Sequence, residues 1–319
     1  KFWPADLNIE GKDQFRGWWN SELILSEIKF GKKPFKNVLV HGMILDLGKV
    51  KMSKSLGNII SPHDMIEKYG RDALRYYFAK ISKGEDFSFD EKEFGKLQNM
   101  FRVLINFNSF VNQLERKKAK IRIEDQWILS RYNNLINDVK ESYEKFWYPD
   151  AVQKLENFVV NDLSKTYIQM IRERSDEVYD VMNMIRSSLL KVLAPIIPFI
   201  TEKIWQELRE NKIVKEDSVH LSLFPKAETF RIDKKLEEEF EDALRIIELG
   251  LAERDKSGIG LKWPLAKATI TFDKKIDKEI SEIVKRQLNV KNVQIKNGKE
   301  ISVELDTNLT PELESEGFA

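Results

Sequence analysis

The sequence predicts a mixed fold in three parts: a partial α/β region, an α-helical bundle and a small α/β appendage. Three observations carry that reading. A nearly continuous apolar run follows an amphipathic stretch near the N-terminus. Long central segments place apolar residues at helical spacing. After residue 231, a Glu/Leu-rich segment is followed by short β-branched runs.

From Phe35 to Leu45 the run Phe-Lys-Asn-Val-Leu-Val-His-Gly-Met-Ile-Leu has the pattern of a strand buried on both faces, whose natural home is a parallel sheet. Residues 12–29 carry Trp18, Trp19, Leu23, Ile24, Leu25 and Ile28, a spacing that suits a helix packed on that sheet. Strand, helix and strand in that order is the grammar of a βαβ unit. Ser61-Pro62 marks a helix start, since Ser can cap and Pro can occupy the first helical position; a short helix over His63–Tyr69 ends at Gly70. A second short helix over Arg71–Lys80 turns Leu74, Tyr77 and Phe78 inward. Phe87-Ser-Phe-Asp90 alternates briefly, and Asp90 can cap a longer helix through Leu114.

The basic run Lys117–Arg122 has no apolar periodicity and reads as a link between domains. Beyond it, Asp125–Phe146 places Ile128, Tyr132, Leu135, Val139 and Tyr143 at helical spacing, and Asp150–Arg174 repeats the pattern with Val152, Leu155, Val159, Leu163 and Met170. Val178–Leu193 and Phe199–Arg209 add helices around the Pro195 and Pro198 breaks, which together predict an antiparallel bundle. The last part reads as a helix over Leu236–Glu253, a turn at Gly258 and Gly260, and strands over Leu265–Phe272 and Val293–Ile295 around a helix near 276–288. The expected domains are therefore residues 1–118, 119–230 and 231–319.

Composition excludes several classes of function. Lys and Arg number 53 against 52 Asp and Glu, so a global basic field cannot be the reason for binding a nucleic acid. With no cysteine there is no disulfide, thiolate nucleophile or thiolate metal site, and the scattered His41, His63 and His220 do not suggest a zinc cluster; no protein-bound metal is expected. No apolar run approaches the roughly 20 residues that span a bilayer, and the first residues lack a signal-peptide core, so a cytoplasmic protein without a membrane partner is expected. Both ends read as interior sequence: the chain starts without Met on the approach to a strand and stops in what reads as the start of a helix.

The sharpest feature is Lys51-Met-Ser-Lys-Ser-Leu-Gly-Asn58, a polar loop after a predicted strand and before a helix, with two lysines three positions apart. Two ammonium groups on such a loop can stabilise the charge that builds on the β and γ phosphates when ATP is attacked at its α phosphate, and serines and backbone N–H groups add donors. An isolated Lys-x-x-Lys is usually an ordinary solvated pair; the whole string is what departs from that.

Lys-Met-Ser-Lys-Ser resembles the signature loop of class I aminoacyl-tRNA synthetases. Upstream, Glu10-Gly-Lys-Asp-Gln-Phe-Arg-Gly-Trp18 is similar to the Glu-Gly-x-Asp-Gln-x-Arg-Gly-Trp segment of the isoleucyl-tRNA synthetases. Phe35-Lys-Asn-Val-Leu-Val-His41-Gly resembles the same family, as do Trp127-Ile-Leu-Ser-Arg131, Asp162-Leu-Ser-Lys-Thr-Tyr-Ile168, Ala194-Pro-Ile-Ile-Pro198-Phe, Ser218-Val-His220-Leu and Lys262-Trp-Pro-Leu265. These downstream matches resemble the tRNA-binding half of archaeal and eukaryotic-type members, and the likeness runs essentially the whole chain.

The resemblance implies the second half of a Rossmann-like α/β catalytic domain with a stem-contact region, then an anticodon-binding bundle, then a junction region. It implies that the full protein activates isoleucine with ATP, taken as its Mg complex, and transfers it to the tRNA for isoleucine. Glu10, Gly11, Asp13 and Gln14 match positions that contact the aminoacyl-adenylate, and Trp18 matches the wall of the amino-acid pocket. Lys54 matches the ATP-contacting lysine with Lys51 as partner, and Ser53 and Ser55 join them in ATP binding. Read without the motif, Trp18 is a packing aromatic, Glu10 and Asp13 are caps or solvated charges, and His41 is a hydrogen-bonded core histidine.

Two departures qualify the resemblance. The family's His-x-Gly-His type element and its inserted editing domain do not occur here, so an N-terminal catalytic half and an editing domain are expected elsewhere, and this chain alone is expected to be inactive. Thr166 stands where many relatives have Trp. Two other readings stay open: a non-catalytic tRNA-binding fragment, and a valyl-type relative, against which Asp13-Gln-x-Arg16-Gly-Trp18 argues. Lys117, Lys118, Lys120, Arg172, Arg174 and Lys191 are the candidate cations for RNA phosphates, with no ranking among them.

Overall fold

The computed structural model describes residues 3–308 and 310–318. The backbone divides into two compact units, each drawn from three stretches of chain: Lys1–Leu114, Leu135–Ser164 and Met182–Ala227 in the first, and Glu115–Asn134, Lys165–Val181 and Glu228–Ala319 in the second.

The chain begins with strand β1 (Ala5–Gly11), a 3-10 turn over Lys12–Arg16, helix α1 (Trp18–Phe30) and strand β2 (Phe35–His41), with β1 and β2 paired in parallel. The predicted βαβ unit is therefore present. Its burial is not as predicted. The strand stops at His41, β3 being a separate two-residue piece (Ile44–Leu45), and every residue of β2 is at least partly exposed. On α1, Trp19 is buried, but Leu23, Ile24, Leu25 and Ile28 stand in solvent, as Phe30 does. The reason is the sheet's width: β1 and β2 form a two-stranded sheet in this chain, which offers too little surface to cover the helix's apolar face.

Helices α2 (Pro62–Tyr69) and α3 (Arg71–Ile81) form as read. The Ser61 hydroxyl accepts from the Asp64 N–H, Pro62 opens the first turn, and Gly70 ends it at φ +88°, a left-handed value that disfavours a side chain. Strand β4 (Phe87–Ser88) pairs in parallel with β3, and helix α4 (Glu93–Asn112) follows. Tyr77 of α3 packs between Phe89 and Phe94, with ring centroids 5.0 and 4.8 Å away, so an aromatic cluster fixes α3 against the start of α4.

Helix α5 (Ile123–Glu144) is followed by α6 (Tyr148–Glu156), a π-helical stretch over Asn157–Tyr167, the single turn α7 (Ile168–Met170) and a 3-10 stretch over Arg172–Val178. The spacing predicted one helix over 150–174. The apolar positions it named, Val152, Leu155, Val159, Leu163 and Met170, are all buried. The wider turn keeps Val159, Leu163 and Tyr167, four apart, on one buried face. Helices α8 (Tyr179–Leu193) and α9 (Pro198–Glu210) complete the first unit's helical part. There Asp72 accepts from the Phe199 and Ile200 N–H groups at 3.2 and 2.6 Å, capping α9 across a long stretch of sequence.

In the second unit, α10 (Lys234–Lys256) is followed by β5 (Leu265–Thr271), α11 (Lys278–Gln287) and β6 (Val290–Lys296), a second parallel βαβ unit. Strand β7 (Ser302–Leu305), absent from the sequence reading, pairs antiparallel with β5, and α12 (Pro311–Phe318) follows. Four residues with a single buried side chain left too short an alternation to read. Buried Arg254 donates to the carbonyls of Leu288, Asn289, Gly260 and Trp263, tying the end of α10 to both flanking turns.

The second unit also buries a charge cluster. Arg174 donates to Asp125 at 2.6 and 3.2 Å and to Glu124 at 3.0 Å, the Tyr167 hydroxyl donates to Asp125 at 2.7 Å, and all four residues are buried. Removing the cation strands two carboxylates out of water. Arg174→Met should therefore lower stability by about 3–5 kcal/mol. Lys117→Met, which breaks the exposed pair with Asp176, should lower it by less than about 1 kcal/mol. Denaturant unfolding of the two variants side by side checks this; equal midpoints would refute the assignment.

Candidate functional site

The parallel strands β1 and β2 end side by side, with Gly11 in register with His41. The crevice beyond the carboxyl ends of such strands is where α/β sheets take ligands. The 3-10 turn that follows β1 brings Glu10, Asp13, Gln14 and Trp18 into one hydrogen-bonded chain. The Trp18 indole N–H donates to Glu10 Oε1 at 3.1 Å, the Trp18 backbone N–H donates to Gln14 Oε1 at 3.1 Å, and Gln14 Nε2 donates to Asp13 Oδ2 at 3.3 Å. Gln14 thus supplies the acceptor that the first turn of α1 lacks. A Cβ on Gly17 would stand 2.4 Å from Gln14 Oε1, and one on Gly11 would stand 2.8 Å from Asp13 Oδ1, so both glycines make room for this arrangement.

Trp18 is 43% exposed while its neighbour Trp19 is 3% exposed. The packing aromatic here is Trp19, and Trp18 presents its ring to the open side. His41 is not a core histidine: it is exposed, and its Nδ1 meets the Gly42 carbonyl at 3.0 Å.

The Lys51–Asn58 loop is held from below. Asp46 forms a tight turn with Val50, whose N–H donates to Asp46 Oδ1 at 2.9 Å, and Lys51 pairs back onto Leu45. Asn58 bridges the two ends of the loop, donating to Asp46 Oδ2 at 2.8 Å and accepting from the Ser53 N–H at 2.9 Å. The Ser53 and Ser55 hydroxyls lie 3.2 Å apart, and Gly57 turns the chain at φ +66°. Hydrogen bonds from Asn58 and then Val50 hold the Asp46 carboxyl below the usual carboxylate range. Lys51 is exposed. The side chain of Lys54 lies outside the described residues, although its backbone forms the 3-10 turn Lys54–Leu56. Beneath the loop, Lys51 and Met52 join Met43, Ile59, Met65 and Phe78 around an apolar cavity of about 310 Å³.

Asp86 connects the two parts, and the sequence reading missed it. Its Oδ2 accepts from Lys12 Nζ at 2.6 Å and its Oδ1 from the Met43 N–H at 2.7 Å. The Lys12 hydrogen bond, then the Met43 N–H, and more weakly the charges of Lys12 and Lys51, hold its carboxyl below the usual range. Gly42 makes this contact feasible, because a Cβ there would stand 2.0 Å from the Glu85 carbonyl. Asp46 sits in Asp-Leu-Gly, a turn signal that could have been read; Asp86, whose partners are 43 and 74 residues away, has no local signal.

Of the candidate RNA cations, Arg174 is buried in the cluster described above and is withdrawn, since its guanidinium is taken by Glu124 and Asp125. Lys117 is paired with Asp176, and Lys191 lies over the Trp205 ring. No helix among the described residues is long and apolar enough to cross a membrane.

A depressed folded-state pKa stabilises the bond above the ordinary carboxylate pKa, and that contribution is lost as pH falls through the lowered value. The Met43 amide resonance should therefore titrate with a midpoint below the usual carboxylate range. Lys12→Gln, by removing the largest cause, should move that midpoint upward; an unchanged midpoint in the variant would rule out the Lys12–Asp86 link.

Residues 1–90 match the family described as "tRNA synthetases class I (I, L, M and V)", and residues 125–270 match the "Anticodon-binding domain of tRNA ligase". Among curated proteins the chain is similar to the isoleucine--tRNA ligase of Pyrococcus furiosus, with 37% identity covering 95% of this chain and 31% of the relative. It is similar also to that of Methanothrix thermoacetophila, with 35% identity covering 92% and 30%. The chain spans about 30% of the length of these relatives. Among solved structures it resembles the LeuRS-tRNA-LeuAMS ternary complex of Agrobacterium radiobacter, with TM-score 0.57 and 20% identity over 72% of this chain and 29% of that one. It also resembles Mycobacterium tuberculosis methionyl-tRNA synthetase in complex with methionyl-adenylate, with TM-score 0.56 and 20% identity over 70% and 51%. At these identities the structural likeness establishes the fold alone.

Proposed function

We propose the following reading for a chain that belongs to the isoleucyl branch of the class I aminoacyl-tRNA synthetases: in the whole protein it supplies the phosphate-side half of the site that activates isoleucine with ATP, and it binds the tRNA for isoleucine through its helical part. Residues 1–118 carry the catalytic half, 119–230 the anticodon-binding helices and 231–319 the junction region, and the protein works in the cytoplasm.

The observation that carries this reading is the joining of two motif segments into one site. Glu10, Asp13, Gln14 and Trp18 form a connected polar chain at the strand ends, and Asp86 links that turn through Lys12 to the strand leading into the Lys51–Asn58 loop. Glu10 and Asp13 offer acceptors for ribose hydroxyls and the substrate ammonium, Gly11 leaves room for the nucleotide, and the open face of Trp18 suits a branched aliphatic side chain. ATP enters as its magnesium complex. When the isoleucine carboxylate attacks the α phosphate, the bond to the β,γ-diphosphate breaks and charge builds on the leaving group. Lys51 and Lys54 meet that charge, with Ser53 and Ser55 adding donors.

The loop lysine acts on charge that develops in the transition state, an effect of about 2–4 kcal/mol when lost. In the whole protein, Lys54→Ala should lower isoleucine-dependent pyrophosphate exchange by about 100-fold or more while isoleucine affinity changes little. Equal losses in rate and in isoleucine affinity would remove the lysine from this role.

For the helical part, titration of the chain with tRNA for isoleucine and with an anticodon-swapped version, at two salt concentrations, separates base reading from phosphate attraction. Affinity for both should fall with salt, and the matched tRNA should bind more tightly at each. Identical affinities for the two tRNAs would leave only a generic basic surface.

A further inference from the structure

Lys12 stands at an open position of the motif. In Glu10-Gly-Lys-Asp-Gln the residues on either side of Lys12 carry the resemblance and Lys12 does not, and Asp86 lies outside every string that carries it. Yet Lys12 Nζ sits 2.6 Å from Asp86 Oδ2, across 74 positions of sequence. The contact is a property of this chain that the motif does not require.

It falls where the framework is thin. Strands β1 and β2 form one two-stranded sheet, β3 and β4 form another, and the chain passes from the first to the second through Gly42 and Met43. Among the described residues, no other side-chain hydrogen bond or ion pair joins residues 5–41 to residues 43–90. At one end Lys12 opens the 3-10 turn Lys12–Arg16 and so moves with Glu10, Asp13, Gln14 and Trp18, which are bonded to one another. At the other end, the second oxygen of Asp86 accepts from the Met43 N–H at 2.7 Å, and the next residue, Phe87, pairs with Ile44. Leu45 of the same strand bridges to Lys51. A displacement of Lys12 therefore reaches the first loop lysine through Asp86, Met43 and β3.

An exposed lysine–carboxylate pair ordinarily contributes little, because both side chains lose freedom to hold one geometry and water screens the attraction. Asp86 departs from that pattern. Its carboxylate is already fixed on a backbone N–H, and its own backbone is fixed by the close approach of Gly42, so little further freedom is lost when Lys12 binds. The Lys12 hydrogen bond, and then that of the Met43 N–H, hold the carboxyl below the usual range, so the negative end of the pair is present at neutral pH. Lys12 itself is half in solvent, which limits the expected effect to a few-fold.

We propose that Lys12 is a positioning residue that, through Asp86, ties the Glu10–Trp18 turn to the strand feeding the lysine loop, so that isoleucine and ATP each bind more tightly when the other is present. Isoleucine held at the turn restricts Lys12, and the restriction passes to the loop that meets the phosphates. The converse follows, because coupling between two binding sites is reciprocal. Ordering already completed by one ligand is ordering the second need not supply. Lys12 touches neither substrate in this role. The inference rests on the reading of this site as one that activates isoleucine with ATP, and adds to it the means by which its two sides respond to each other.

The test is calorimetric titration of the whole protein with isoleucine, alone and with saturating α,β-methylene-ATP, whose bridge between the α and β phosphorus atoms cannot be cleaved. The ratio of the two dissociation constants is the coupling factor, and in the unaltered protein it should stand well above one. Lys12→Gln and Asp86→Asn should each lower it by about twofold to fivefold, the range of an exposed ion pair. The double variant should lower it no further, since both changes remove the same bond. Asp86→Asn keeps an acceptor for the Met43 N–H, and Lys12→Arg keeps the cation and should restore the coupling, a rescue that general loss of stability does not mimic. High salt should bring the unaltered protein toward the variants. A factor of one in the unaltered protein, an unchanged factor in Lys12→Gln, or additive losses in the double variant would overturn the proposal. So would tighter binding of the analogue to Asp86→Asn, which would make Lys12 a phosphate contact that Asp86 withholds. Isoleucine-dependent pyrophosphate exchange by the whole protein keeps the two readings apart. Exchange with unchanged coupling removes the tether alone; no exchange removes the activation reading and the tether with it.

Discussion

The close approach of Gly42 to the backbone of Glu85 and Asp86 is the constraint on which the site depends. With a Cβ at Gly42 placed 2.0 Å from the Glu85 carbonyl, any other residue would drive the two backbones apart. Their contact sets Asp86 where one oxygen takes the Met43 N–H and the other takes the Lys12 ammonium. It also lets β4 pair with β3 just before the Lys51–Asn58 loop. One glycine therefore fixes the distance between the turn that follows β1 and the strand that feeds the lysine loop. Groups that must act together on one ligand need such a fixed frame, because misplacement by an ångström forfeits much of the benefit of orientation.

The electrostatics of that frame are asymmetric. Asp46 and Asp86 are both held ionised by hydrogen bonds, and Asp86 also feels the charge of Lys51. Asp46 spends its charge within the loop's own scaffold, on Asn58 and Val50. Asp86 spends most of its charge on Lys12 and only weakly engages Lys51. Lys51 is thereby left exposed without a tight ion pair to Asp86, and in the proposed reading a polyphosphate with several charges would out-compete a single partly neutralised carboxylate for it. The loop above the apolar cavity is pinned at its two ends, at Asp46 and Asn58, while Lys49, Lys51 and Ser55 between them stay exposed.

Much of this was legible in the sequence wherever the determinant was local. Ser61-Pro62 and Gly70 bounded α2 as read, the helically spaced Ile128, Val139, Leu155 and Leu163 all proved buried, and the βαβ order at the start held. The motif residues Glu10, Asp13, Gln14 and Trp18 do meet. What escaped the reading was set by tertiary context. The apolar pattern of 35–45 and of α1 specified faces to be buried, but a pattern states what a face needs and not whether this length of chain provides its cover. Asp86, the Asp72 cap on α9 and the Arg174 cluster join residues too far apart in sequence for any spacing rule to pair them.

Arg174 carries the wider lesson for nucleic-acid recognition in a chain of balanced charge. A cation in sequence is not a cation in solution: Arg174 is consumed by Glu124 and Asp125, and Lys117 is answered by Asp176. A basic residue that a composition-based reading would offer to phosphate can be paired in this way, and a paired lysine must first give up its carboxylate before it can gain a phosphate oxygen. Attraction for a polyanion then depends less on how many basic residues the surface holds than on where acidic ones are missing.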